Sequence, residues 1–381
     1  MTASFFESQF EQSYEFVRSL YLSRQKPIDY SWLLTNNHCL VPDYFTIQTM
    51  GRNLFERFLN RSMGVFFGSN GIGFKVMQRF VDLFYMIVQY DESESKGWLL
   101  KRLRKPPKEI AYWTLVEFFL FMDNWLRGIC GVDFMTFKST KVDLNNLALD
   151  LIQSCDHQLR NCSITDWLNI VCYSNWLDVV VPDFQDRKAA VFDHLKGMVQ
   201  AVSTKSTISG VLDLTKAKHV LYECDNAGEA VFDLRFVLEL IKMGKKVTMV
   251  AKIQPILNDV TCKELQIIIH ENTVFDRLKN ALKSNELTII SANDFPMVGK
   301  YLPLVTSEYK AAYLSTDIVI LKGQANFQTM PVINHFITSR KINYTKPIMT
   351  CFVAKAPIVQ YCLRYSNIKD VVIGDPVIGL I

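Results

Sequence analysis

The chain has 381 residues, more than one hydrophobic core ordinarily accommodates, so two packed regions are expected. Hydrophobic residues make up 49% and charged residues 21%, a balance that excludes a largely disordered chain. Lys plus Arg number 42 against 38 for Asp plus Glu, and the net charge of +4 is too small to argue for a nucleic-acid partner.

The N-terminal segment carries Glu7 and Glu11 and has neither the basic start nor the apolar run of a secretory leader. The 9 Cys residues are scattered, odd in number and without a CxxC pair, which argues against a zinc knuckle and a disulfide framework alike. Reduced thiols and the lack of a leader predict a cytoplasmic protein. From about residue 5 to 202 the pattern is helical, with apolar residues at three- and four-residue spacing over 51–59, 74–90, 110–127 and 144–159. The most apolar stretches are broken by Asp82, Glu117 and Asp123, so no membrane span is expected. The glycine-rich run from Gly68 to Gly73 lacks a preceding strand and the Lys-Ser/Thr ending of a P-loop, and reads as a helix-connecting turn. Lys101, Arg102, Arg104, Lys105 and Lys108 surround Pro106 and Pro107 and read as a solvated loop.

The small, polar segment 203–209 marks a boundary. It divides the chain into a mainly α-helical region, 1–205, and an α/β domain, 206–381. Past it the pattern alternates: strands at 218–223, 246–251, 287–291, 317–321 and 347–353, and helices at 229–243, 261–271 and 327–335. Such alternation predicts a Rossmann-like α/β/α sandwich with a mainly parallel sheet, and ligands beyond the carboxyl ends of its strands.

Three strand ends carry polar clusters that hydrophobic patterning does not explain. The first is Cys224-Asp225-Asn226-Ala227-Gly228-Glu229, where a carboxylate and an amide oxygen suit a cation of the magnesium or manganese type. Alone, this run reads more readily as an Asx turn with a helix cap. A second carboxylate on the same edge, in Lys252-Ile253-Gln254-Pro255-Ile256-Leu257-Asn258-Asp259, shifts the balance toward a metal. The third cluster, Lys322-Gly323-Gln324-Ala325-Asn326-Phe327-Gln328, places an ammonium and a glycine before a helix, an arrangement that favours an anion. Carboxylates for a metal beside a lysine for a phosphate suit phosphoryl transfer. The six His residues, His270 and His335 among them, lack metal-ligand spacing.

These three runs, together with Asp233 and the later Lys355-Ala356-Pro357, resemble the signature of the damage-control phosphatase family, also called acidic-residue methyltransferase-like. The resemblance covers about residues 213–363 and implies a helical region joined to the sandwich. It implies one divalent cation (Mn²⁺, Mg²⁺, Co²⁺ or Ni²⁺) held by Asp225, Asn226 and Asp259. It further implies a small phosphorylated metabolite as substrate, with Lys322, Gly323, Asn326 and Lys355 at the phosphate. Ser174-Asn175-Trp176-Leu177-Asp178 is similar to the family's Gly-Asn-x-x-Asp element, which implies Asn175 at the phosphate or a metal-bound water and Asp178 in support of its loop. Asp225, Asp259, Lys322 and Asn175 are the expected catalytic set. Gln328 replaces the family's usual Glu, and residues before about 150 match no pattern of the family, leaving substrate choice and room for a protein partner there. Two alternatives stand beside the metal-dependent phosphatase: an S-adenosylmethionine-dependent protein carboxyl methyltransferase, against which the lack of a GxGxxG loop counts, and a binding module that has lost turnover.

Overall fold

The computed structural model describes residues 3–26, 28–33, 39–40, 113–131, 137–178, 193, 196–197, 207–209, 214–330, 344–355, 359 and 371–380. The helices expected at 51–59 and 74–90, the Gly68–Gly73 run, the basic cluster of residues 101–108 and His335 lie outside them. The chain forms two compact units, one of residues 1–26 and 43–135 and the other of 27–42 and 136–381. The division therefore falls ahead of the 205/206 boundary read from the sequence. Helical periodicity changes at residue 205, but helix 164–173 packs on the sheet, helix 138–154 packs on the helix Glu229–Lys242, and both share the core of the sheet's unit.

In the first unit, helix α1 (Ala3–Arg24) packs on α2 (Leu115–Cys130). Phe10, Tyr14 and Val17 recur at helical spacing and are buried, and Phe10 meets Phe121 and Trp125 edge-on at 5.1 and 5.7 Å between ring centres. Glu117 closes this pair of helices. Its carboxylate accepts from the Thr114 backbone N–H at 2.8 Å as part of a capping box, and receives Arg24 Nε and Nη2 at 2.7 and 2.9 Å. No helix among the described residues is long and apolar enough to cross a membrane.

The second unit holds a small antiparallel pair, β1 (Ile28–Asp29) with β2 (Cys39–Leu40), and a seven-stranded sheet. Its strands are β3 (Thr207–Ser209), β4 (His219–Glu223), β5 (Lys246–Ala251), β6 (Leu287–Ser291), β7 (Ile318–Lys322), β8 (Ile348–Val353) and β9 (Pro376–Leu380). Their order is β3-β9-β8-β7-β4-β5-β6, parallel throughout except for the antiparallel β8–β9 pair. The near-continuous apolar runs of β4, β7 and β8 follow from burial on both faces. Val220, Tyr222 and Cys224 join the core built with α3 (Lys138–Ser154), α4 (Ile164–Tyr173), α5 (Glu229–Lys242), α6 (Cys262–Glu271) and α7 (Asp276–Lys283). Glu223 alternates to the opposite face, where α8 (Ser307–Ser315) presents Tyr309 to it.

Two local expectations differ. Part of the 203–209 segment, expected as an interruption, enters the sheet: Thr207 and Ile208 are β-branched, and three residues are too few for an alternating pattern to register. The helix expected over 327–335 starts earlier, as α9 (Gln324–Gln328), because the positive φ of Gly323 (+77°) lets the chain turn directly out of β7.

After β4 the chain builds β5 and β6 on one side and then crosses to β7 and β8 on the other. The crevice between the carboxyl ends of β4 and β7 is thus the topological switch point, where parallel sheets bind ligands.

Candidate active site

Asp225 and Asn226 leave β4 at this crevice, and Lys322 and Gly323 end β7 on its other side. The loop after β5 returns so that Asn226 and Asp259 form an isolated antiparallel bridge, with the Val260 N–H donating to the Asp225 carbonyl at 2.8 Å. Residues 33 apart in sequence are thereby brought side by side, and all three expected ligands are buried, Asp225 at 7% exposure and Asn226 and Asp259 at 3%.

Asn175 arrives from the 3₁₀ turn Ser174–Leu177 that closes α4. Its amide nitrogen donates to Asp225 Oδ2 at 2.9 Å and to the Glu229 carboxylate at 2.8 and 3.1 Å, while its oxygen accepts from the Val353 N–H at 3.1 Å. The Asn226 amide nitrogen likewise donates to Asp225 Oδ2 at 2.8 Å and to Glu229 Oε1 at 2.7 Å. With both of its amide protons used in this way, Asn226 keeps its carbonyl oxygen as the atom with which to meet a cation.

Beneath these amides lies a charge network. Lys322, fully buried, donates to Glu229 Oε2 at 2.8 Å and to the Val171 carbonyl, and lies 3.7 Å from Asp233 Oδ1, which accepts from Tyr222 Oη at 2.6 Å. Burial opposes the ionisation of Glu229, yet Lys322 and Lys355 outweigh it and hold the carboxyl below its usual range. Asp233 gains less from Lys322, and burial lifts its pKa to about 7. Lys322, expected at a phosphate, thus has its ammonium in the acidic floor of the site. Asn326 spends its amide on the Cys224 and Lys322 carbonyls at 2.9 and 2.8 Å, and the Gly323 N–H donates to the Cys351 carbonyl at 3.1 Å, so both bind the ends of the strands together. Lys355 pairs at 2.9 Å with Asp178, whose side chain is 15% exposed, and Asp178 also accepts from Asn258 Nδ2 at 3.0 Å.

The donor set fits a hard divalent cation. Burial, then Glu229 and Asp259, hold Asp225 well above the usual carboxylate range. Burial lifts Asp259 to about 6 even though Lys252 and Lys141 pull it down. Asp259 Oδ2 is buried without a hydrogen bond, its ion-pair partner Lys252 lying 3.4 Å away. Two neighbouring buried carboxylates, one with an oxygen that makes no hydrogen bond, are what a cation would relieve. Among the described residues no group of three His, Cys, Asp or Glu side chains is placed to hold a metal ion, and the expected set is two carboxylates and an amide.

Gly323 is required by this packing. A Cβ there would collide with the Asp225 carboxylate, and its φ of +77° already strains any other residue. Gly323→Ala is expected to displace Asp225, lowering stability by about 1–3 kcal/mol and removing cation binding, as urea unfolding and calorimetric titration would show. Wild-type affinity in this variant would refute the role given to Asp225.

The sequence reading missed three contributors. Lys141 and Asn145 of α3 reach both ligand loops, and Glu223 is locked by Lys300 Nζ and Tyr309 Oη, each at 2.5 Å. The signal available for Lys141 was its place on the apolar face shared with Leu144 and Ala148. Gln328, standing in place of a carboxylate, has a buried Nε2 with no acceptor among the described residues.

The profile of the damage-control phosphatase ARMT1-like domain matches residues 95–366, a span that contains every site residue above. The chain belongs to this family. It is 26% identical over 186 residues to an uncharacterized protein of Methanocaldococcus jannaschii, covering 49% of this chain and 52% of that protein. It is 28% identical over 123 residues to a damage-control phosphatase of Pyrococcus horikoshii, covering 32% and 38%, and 26% identical over 184 residues to one of Archaeoglobus fulgidus, covering 48% and 57%. The chain therefore spans between 38% and 57% of the length of these relatives. The crystal structure of a DUF89 family protein from Pyrococcus horikoshii superposes with a TM-score of 0.54 at 18% identity, covering 88% of this chain and 96% of that one, which is a likeness of fold.

Proposed function

We propose that the chain is a divalent-metal-dependent phosphatase acting on a small phosphomonoester, a sugar phosphate or another phosphorylated metabolite. The observation that carries this reading is the meeting of Asp225, Asn226 and Asp259 at the switch point, with Asp259 Oδ2 buried and without a hydrogen bond. Asp225, Asn226 and Asp259 would hold the cation, which when bound supplies positive charge to phosphoryl oxygens and a more acidic water. Family membership supports the same reaction class.

The remaining residues do defined work in this scheme. Asn175 and Asn226 fix the Asp225 carboxylate through their amides. Glu229 gathers both amides, and Lys322 keeps Glu229 ionised. Lys355, on the less enclosed Asp178 side, is the ammonium we assign to the phosphate. A small cavity of about 10 Å³, lined by Lys252, Asn293, Phe295, Lys300 and Asn326, has room for about one water molecule.

The test is phosphate release from a panel of sugar phosphates, with and without chelator and with Mn²⁺ or Mg²⁺ restored. Activity that survives the chelator unchanged would overturn the proposal. A pH dependence accompanies it. The Asp259 carboxyl, raised to about 6, must lose its proton before it can bind a cation, so affinity for Mn²⁺ should fall as the pH drops through that value and level off above it. Calorimetric titration between pH 5 and 8 should find this trend; an affinity flat across about pH 6 would count against Asp259 as a ligand.

A further inference from the structure

The two loops that carry the proposed metal ligands are joined to each other by a helix outside the sheet. Helix α3 places Lys141, Leu144 and Asn145 on one face, at the i, i+3 and i+4 positions that a helix brings together. Lys141, 2% exposed, donates through Nζ to the backbone carbonyl of Asp259 at 2.6 Å and pairs with Glu264 at 3.2 Å. One turn on, Asn145 Oδ1 accepts from the Gly228 N–H at 2.7 Å, two residues after Asn226. Between them Leu144 lies so close to Gly228 that an added Cβ would stand 3.0 Å from its own Cβ. A buried lysine ammonium on a main-chain carbonyl and an amide oxygen on a main-chain N–H fix backbone, and here they fix one loop each.

We propose that Lys141 and Asn145 are positioning residues that set the separation of the Asp225–Asn226 and Asp259 loops and thereby the affinity for the divalent cation. The proposal rests on the metal-site reading above. Groups behind metal ligands typically change affinity by 10- to 100-fold when removed, which gives the size of the expected effect.

The experiment is calorimetric titration of the full chain with Mn²⁺, alongside thermal unfolding in chelator. Wild type and Asp259→Asn come first: equal affinities would defeat the metal site itself, and with it the premise. Given a wild type that binds and an Asp259→Asn that does not, Lys141→Met and Asn145→Ala should each weaken binding by about tenfold or more, and Lys141→Arg, which keeps a charged donor, should recover most of the loss. Asp143→Ala, an exposed position of the same helix, should bind as wild type does. Wild-type affinity in both Lys141→Met and Asn145→Ala would overturn the proposal. If Lys141→Met does not fold, Asn145→Ala decides by the same criterion. A loss in Asp143→Ala equal to theirs would also overturn it, by showing that any change in the helix suffices.

Discussion

Asp225→Ala and Asp259→Ala are each expected to reduce cation-dependent phosphate release by at least about 10²–10³-fold, since each removes a group that would hold charge at the reacting phosphoryl. The same substitutions should not destabilise the metal-free protein. Burial holds both carboxyls above their ordinary range, with Glu229 adding to the effect at Asp225, so in the folded state their charged forms are disfavoured. For a carboxyl whose folded pKa lies above its unfolded value, stability falls as the pH rises through the interval between them, here from about 4 to about 6 for Asp259. At neutral pH the apo protein should therefore melt at the same temperature or higher once either carboxylate is gone, and added Mn²⁺ should stabilise wild type alone. A variant with full turnover, or with the stabilisation by Mn²⁺ intact, would remove these residues from the site.

The second large effect is on folding. Lys322→Met leaves Glu229 charged, wholly buried and without its ammonium, a loss that costs about 3–5 kcal/mol when one member of a buried pair is removed. Urea unfolding should show the midpoint falling with an unchanged slope. Adding Glu229→Gln to Lys322→Met should recover part of the loss, because the unpaired charge goes with it. A single-variant loss below about 1 kcal/mol would mean that water or a rearranged neighbour meets Glu229, and the acidic floor would not be the rigid support described above.

The nearness of Asp225, Asn226 and Asp259 was legible in the sequence because Asp225 and Asn226 closely follow β4, Asp259 lies in the loop after β5, and a parallel sheet gathers such positions at one edge. Asn175 was legible only through the family resemblance: its own segment reads as helix surface, and nothing local says that the turn after α4 projects an amide into the crevice. The direction of Lys322 was not legible. A lysine at a strand end reads as a phosphate ligand until Glu229 and Asp233, one turn apart on α5, are seen beneath it. The helix-to-sheet division read from periodicity differs from that of the compact units for a related reason. Periodicity reports that 138–173 is helical, but not that its apolar residues join the core of the sheet's unit. Strands β3 and β9 escaped notice because their pairing joins distant parts of the chain, and short edge segments carry little pattern of their own.

That last pairing has a consequence for how the molecule is made. Thr207 lies beside Val377, and β9 sits between β3 and β8, bonded to both. A growing polypeptide can complete β4 through β8 in order of synthesis, yet it must hold two open ladders until residues 376–380 emerge from the ribosome and slot between them. The sheet is then completed by an insertion between two strands rather than by an addition at the rim, a pairing of high contact order.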